Sequence, residues 1–124
     1  MSEEISRLPP QVQERLLRLQ QLQQTLQSVL AQKQQVELEL TEIGQASTEV
    51  EKLTDDAVMY KSAGSIMVRA EKTKITAELN ERKDLLNTRV TILTKQEERL
   101  RSQLKDLQTK LQQDLNSVSS SSQP

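Results

Sequence analysis

The stretch "DDAVMYKSAGSIMVR", residues 55–69, decides the fold, because it separates two long helical patterns. It contains the only aromatic residue of the chain, Tyr60, and one of its two glycines, Gly64. Apolar and other side chains alternate here with a period of two, which is typical of β-strands. A three-residue loop at residues 62–64, with Gly64 in a left-handed conformation, predicts an antiparallel hairpin.

The predicted hairpin has one apolar face. Residue 58 is predicted to lie opposite residue 68, and residue 60 opposite residue 66, and these four residues form the apolar face. The opposite, polar-leaning face consists of Met59, Lys61, Met67 and Arg69. An isolated two-stranded hairpin is marginally stable in water, and its two unpaired edges invite pairing with other chains. We therefore predict that the hairpin assembles with other subunits, because its apolar face has no partner within the chain. Weak packing on its own coiled coil and a disordered loop with high β propensity are the alternatives. The predicted assembly residues are the apolar face and the turn glycine: Val58, Tyr60, Gly64, Ile66 and Val68.

Heptad repeats flank the hairpin on both sides. In the first helix, the a positions recur every seven residues from 12 to 47, and the d positions recur every seven residues from 22 to 50. In the second helix, the a positions span 83–118 and the d positions 79–114. Most of these residues are Leu, Val or Ile, which predicts two coiled-coil helices that pack through their a and d positions, here called the seam.

The two helices are predicted to pair with each other. In an antiparallel pair, an a residue faces a d residue, so the numbers of facing residues add to a constant. The constant 126 joins Leu19 to Leu107 and Leu26 to Leu100, and it places the turning point at Ala63; the heptad phase alone also permits 119 or 133. The predicted fold is mainly α, a long two-helix antiparallel coiled coil joined by a single β-hairpin. Its predicted parts are a flexible N-terminus at 1–9, helices at 10–54 and 72–116, the hairpin region at 55–71 and a disordered Ser-rich tail at 117–124.

Composition narrows the possible functions. The chain of 124 residues has 1% aromatic residues and no Phe or Trp, so a folded form must bury aliphatic side chains between helices or subunits. Its net charge of −1 argues against a general nucleic-acid or anionic-membrane binder. Without Cys or His it lacks thiol and imidazole chemistry. We expect no enzymatic activity, no cofactor and no metal site. No membrane span or signal peptide is recognisable, so we expect a soluble cytoplasmic protein.

The quoted stretch resembles that of the prefoldin β family, in particular the archaeal β subunits. The resemblance rests on its acidic pair, its Tyr-Lys dipeptide and its turn glycine, and it covers about residues 8–116. The segments "LPPQVQERL" (8–16) and "TKQEERL" (94–100) add to it. The single hairpin favours the β type over the α type, which carries two.

The resemblance implies a chaperone function. In this family, two α and four β subunits join their hairpins into an intersubunit β-barrel that carries six coiled coils. The tips of the coils hold unfolded proteins without ATP and pass them to a group II chaperonin. A structural or adaptor coiled-coil scaffold, which does not hold unfolded clients, is the alternative.

The predicted client-binding tip combines the start of the first helix with the end of the second. Exposed apolar surface there can bind many partners, because hydrophobic attraction is non-directional. Leu16, Leu17 and Leu115 lie outside the seam, so helix pairing does not explain them. Frayed helix ends with incidental leucines are the alternative. The predicted tip residues are Leu8, Val12, Leu16, Leu17, Leu111, Leu115 and Val118.

Two charged residues, Lys33 and Glu97, occupy a positions of the predicted seam. In the 126 register, Lys33 and Glu97 occupy neighbouring layers, and we predict that they pair and help to select this register. The alternative is that both side chains reach water while their stems cover the seam. A double-mutant cycle with Lys33→Ala and Glu97→Ala is expected to show a coupling of about 0.5 kcal/mol. Additive effects on unfolding would remove the idea.

Overall fold

Two long helices and one hairpin account for nearly all of residues 7–121, the part of the chain that the computed structural model describes, with side chains through 118. The fold class predicted from the sequence is confirmed. The elements are α1 (Pro10–Glu51), β1 (Met59–Ala63), β2 (Ile66–Ala70) and α2 (Lys72–Ser121). The contacts divide them into a hairpin unit, residues 32–92, and a terminal unit, described over residues 7–31 and 93–121.

The start of α1 follows from its two prolines. Pro10 occupies the first helical position, where its missing N–H costs no hydrogen bond. The carbonyl of Pro9 accepts hydrogen bonds from the N–H groups of Val12 (3.0 Å) and Gln13 (3.1 Å). The Gln13 side chain also donates to the Leu8 carbonyl at 2.7 Å. The helix then runs for 42 residues, about 63 Å at 1.5 Å per residue.

The end of α2 corrects a prediction. The sequence analysis expected disorder from residue 117, but α2 continues to Ser121, so that expectation is wrong for residues 117–121. Serine is only a moderately poor helix former, and α2 contains neither Gly nor Pro to stop it. Residues 1–6 and 122–124, also predicted to be flexible or disordered, lie outside the described residues.

The buried side chains confirm the heptad pattern. Among the described residues, ten hydrophobic side chains are buried, and every one of these occupies a predicted a or d position. All ten are Leu or Val, as expected for a chain without Phe or Trp. They are Val12, Leu22, Leu26, Val29, Val36, Val50, Leu86, Leu93, Leu104 and Leu111.

Each unit has an antiparallel helix pair. In the terminal unit, Arg15 contacts Asp114, and further along α1 Leu22 and Leu26 cluster with Leu104. In the hairpin unit, Arg82 pairs with Glu39 at 3.0 Å, and Lys72 Nζ donates to the Leu53 carbonyl at 2.7 Å. In both units, rising numbers on α1 meet falling numbers on α2, as predicted.

The hairpin register differs from the predicted one. Ala63 pairs with Ile66, so the loop has two residues, Gly64 and Ser65, and not the predicted three. Gly64 has the predicted positive φ, 63°, and no other described residue does. A positive φ at the first central residue alone is typical of a type II′ turn, whose twist matches that of the flanking strands.

The corrected register divides the predicted apolar face. Tyr60 lies opposite Arg69, and Lys61 lies opposite Val68. Because alternate residues point to opposite faces, Ile66 and Val68 share the face of Lys61, whereas Met67 shares the face of Tyr60. The prediction of a single apolar face is therefore wrong, since apolar side chains stand on both faces.

Gly44 provides a stability test within α1. A Cβ built at Gly44 meets nothing within 4 Å, and the residue has an ordinary helical conformation. Gly44→Ala is therefore expected to raise the free energy of unfolding by about 1 kcal/mol, measured by urea denaturation at fixed protein concentration. Gly64→Ala is the matched control and should destabilise the protein, because Gly64 has a φ of +63°. If Gly44→Ala gave no gain, the residue would be more than a tolerated glycine.

Candidate functional site

The hairpin carries the three most exposed large hydrophobic side chains of its unit, Tyr60, Ile66 and Met67. Val58, Tyr60, Ile66, Met67 and Val68 are 45% to 66% exposed. The sheet has only two strands, so the outer edges of β1 and β2 are unpaired within the described chain. All the predicted assembly residues therefore lie on accessible surface, and the arrangement can add strands at its edges and cover apolar area on both faces.

Met67 is a candidate assembly residue that the sequence analysis missed. It is 66% exposed, the highest value among the exposed large hydrophobic residues. The three-residue loop placed it on the polar-leaning face, whereas the observed pairing sets it opposite Ser62, on the face of Tyr60. Recognition of the two-residue turn from Gly64-Ser65 would have found it.

Two lysines attach the hairpin region to the helices. Lys61 Nζ lies 2.9 Å and 2.8 Å from the two carboxylate oxygens of Glu78 on α2. Lys72 Nζ donates to the Leu53 carbonyl at 2.7 Å and lies 3.6 Å from Asp55 Oδ1. A cation beside the carbonyl end of α1 also interacts favourably with the helix dipole. These contacts orient the hairpin relative to the helix ends from which it emerges.

Glu78 is the titratable group that responds to this attachment. The hydrogen bond from Lys61 lowers the pKa of the Glu78 carboxyl below its ordinary value, and the positive charges of Lys61 and Lys74 act in the same direction. Glu78 is therefore ionised at neutral pH, and the contact with Lys61 is an ion pair.

The terminal unit contains the predicted client-binding residues in three environments. Val12 and Leu111 are buried, at 3% and 5% exposure. Leu17 and Leu115 are 58% and 43% exposed. Leu8, Leu16 and Val118 are half-buried. The accessible part of the predicted site therefore centres on Leu17 and Leu115, whereas Val12 and Leu111 belong to the seam in this state.

An ion pair in the same unit was missed by the sequence analysis. Arg15 on α1 pairs with Asp114 on α2, across 99 positions of sequence. Asp114 was recognised as a d position, but the d series of α1 was not extended one heptad back from Leu22, which would have reached Arg15. The pairing of Lys33 with Glu97 stays a prediction; Glu97 accepts a hydrogen bond from Arg101 Nε at 2.9 Å.

The described part of the chain offers neither a metal site nor a membrane-spanning helix. No group of three or more acidic, His or Cys side chains is arranged to hold a metal ion there. Neither α1 nor the described length of α2 is apolar enough to cross a membrane.

Comparison with known proteins agrees with this geometry. A family model described as "Prefoldin subunit" matches residues 13–117. The chain belongs to the prefoldin subunit family, and its role is that of a subunit of a prefoldin chaperone.

Within that family, the chain is similar to several β subunits. The prefoldin subunit β of Methanothrix thermoacetophila is 47% identical over 111 residues, which cover 90% of this chain and 92% of that protein. The prefoldin subunit β of Thermococcus kodakarensis is 47% identical over 105 residues, covering 85% and 90%.

Solved structures support the same grouping. The crystal structure of the prefoldin β subunit from Thermococcus strain KS-1 matches with a TM-score of 0.81 at 46% identity, over 86% of this chain and 93% of that one. The prefoldin β2 subunit from the same strain has a TM-score of 0.66 at 20% identity, over 73% and 97%, and shares the fold.

The ion pair between Lys61 and Glu78 predicts a pH dependence of the hairpin. Because folding lowers the pKa of Glu78, its contribution to stability is complete well above the reference value of 4.5 and is lost as the pH falls through the folded-state pKa. Hydrogen-exchange protection factors of the β1 amides should therefore fall in the acidic range, below about pH 4.5.

Glu78→Gln is the matched control for this titration. It should lower hairpin protection at pH 7 and should bring the protein to the wild-type protection level of the acidic range, because the amide cannot ionise. The prediction is wrong if the protection difference between the wild-type protein and Glu78→Gln stays the same from neutral to acidic pH.

Proposed function

We propose that the chain assembles through its hairpin and holds unfolded proteins at its terminal unit. The hairpin joins those of further β-type copies and of an α-type subunit, two α and four β, in an intersubunit β-barrel. The terminal units hold non-native clients without ATP and pass them to a group II chaperonin in the cytoplasm. In this proposal the chain has no catalytic role.

The exposure of the hairpin is the observation that carries the assembly part. Four apolar side chains stand on the two faces of a two-stranded sheet, and Val58 directly precedes its first strand; each of the five is at least 45% exposed. Such a sheet is marginal by itself in water. Subunit assembly would bury this surface and pair both strand edges, which supports an oligomeric body built from hairpins.

The client-binding part rests on the exposed leucines of the terminal unit. Leu17 and Leu115 lie outside the seam and stay accessible after the helices have paired. An adaptor coiled coil without client binding is the second candidate. The burial of Val12 and Leu111 favours it, because that burial removes two predicted client contacts from the surface.

A pair of double variants separates the two candidates. Leu17→Ser with Leu115→Ser is expected to raise about tenfold the chaperone concentration that half-suppresses aggregation of denatured citrate synthase without ATP, since apolar client contacts are lost. Leu38→Ser with Leu85→Ser is the matched control, because these leucines of the hairpin unit are 53% and 59% exposed. The control should suppress aggregation as well as the wild-type protein.

Native mass spectrometry of both variants should show unchanged assembly. Equal loss of suppression in both double variants would indicate general apolar stickiness. No suppression by the wild-type protein would favour the adaptor.

A further inference from the structure

The ion pair between Arg15 and Asp114 occupies an unusual place for two charges. Both residues are d positions, so their side chains lie in the seam, at 26% and 22% exposure. Val12 precedes Arg15 by three residues and Leu111 precedes Asp114 by three, so each charge has a buried aliphatic neighbour on its own helix face. The pair therefore lies within the apolar contact that closes the terminal unit.

This placement covers part of the predicted client site. Val12 and Leu111 are almost fully buried while the two helices are paired. They can contact a client only if α1 and α2 separate at this position. Such a separation breaks the contact between Arg15 and Asp114, because these side chains join the two helices at the same level of the seam.

Separation leaves both charges without their partner. A purely apolar client segment laid onto the opened seam would cover an unpaired guanidinium and an unpaired carboxylate, and burial of an unpaired charge is strongly unfavourable. A client segment that also carries a charged side chain reduces this penalty, because it gives one of the two charges a new partner. Its carboxylate can bind Arg15, or its ammonium or guanidinium can bind Asp114, with charge-assisted hydrogen bonds.

We propose that the ion pair between Arg15 and Asp114 is a clasp over Val12 and Leu111, and that the opened terminal unit selects unfolded segments that combine apolar with charged residues. The charged residue of the client takes the place of the lost partner. This inference rests on the proposed client-binding function, and it assigns that site a substrate class. The clasp also limits exposure of the seam while no client is bound.

Peptide binding to the assembled full-length protein tests the proposal. The probes are three dye-labelled, unstructured peptides with identical Leu and Val content, in which the intervening residues are serine only, serine with two glutamates, or serine with two lysines. A peptide of serine with the same charges but without Leu or Val serves as the control for simple charge attraction. Fluorescence anisotropy gives the dissociation constants. The wild-type protein is expected to bind each charged apolar peptide about fivefold more tightly than the serine-only peptide.

Two single variants report the sign of the charge. Arg15→Gln should abolish the preference for the glutamate peptide and keep that for the lysine peptide, because Asp114 remains. Asp114→Asn should do the reverse. Asp114→Asn is isosteric, and Arg15→Gln leaves a shorter, polar and uncharged side chain. Both positions lie outside the hairpin unit, and native mass spectrometry checks that the assembly is unchanged.

Several results would overturn the proposal. Equal binding of the three apolar peptides by the wild-type protein excludes the predicted selectivity. An identical shift for both charged peptides in either variant excludes an exchange of partners. If peptides bind and only Leu17→Ser with Leu115→Ser weakens them, the clasp is wrong and the client function stands. If no apolar peptide binds and aggregation is not suppressed, both are wrong.

Discussion

The aliphatic seam between α1 and α2 is the contact on which the rest of the structure depends. The chain has a single aromatic residue and therefore cannot build the usual core of large rings. The ten hydrophobic residues that are buried within its described part are Leu and Val at heptad positions, in the terminal unit and in the hairpin unit alike. Long helices draw most of their stability from such packing, so loss of the seam would remove the helices as well as their pairing.

The seam also determines which apolar residues remain for function. Helix pairing covers the apolar side chains at a and d positions. The apolar side chains that remain exposed therefore include those of the hairpin and the leucines outside the seam. The hairpin leaves apolar side chains exposed on both of its faces, and in the proposed assembly other subunits cover them. In the terminal unit, the charges of Arg15 and Asp114 interrupt the apolar seam. The two helices can pack closely there only while these charges are paired with each other, which a fully apolar seam would not require.

The buried faces of the two helices could be predicted from the sequence, because heptad periodicity determines which face of a helix is buried. The a and d series contained every hydrophobic residue that is buried between residues 7 and 118, and Gly64 marked the turn. The register of the hairpin was not accessible in the same way. Met59 and Met67 make both faces partly apolar, so alternation could not choose between a two-residue and a three-residue loop. Turn geometry decides, and Gly64 belongs at the first position of a two-residue turn.

Other features depended on information that local patterns do not contain. The contact between Arg15 and Asp114 joins residues 99 positions apart. Helix α2 runs through Ser121, the last described residue, and contains no Gly or Pro that would stop it earlier. Val12 and Leu111 were predicted both as seam and as client site, and the structure shows the seam role. We propose above all that the exposed hairpin joins subunits. Native mass spectrometry of the full chain, alone and with an α-type subunit, tests it most directly. The account predicts an oligomer, and it predicts that the double variant Ile66→Ser with Met67→Ser weakens this oligomer. A stable monomer both alone and with the α-type subunit would contradict it.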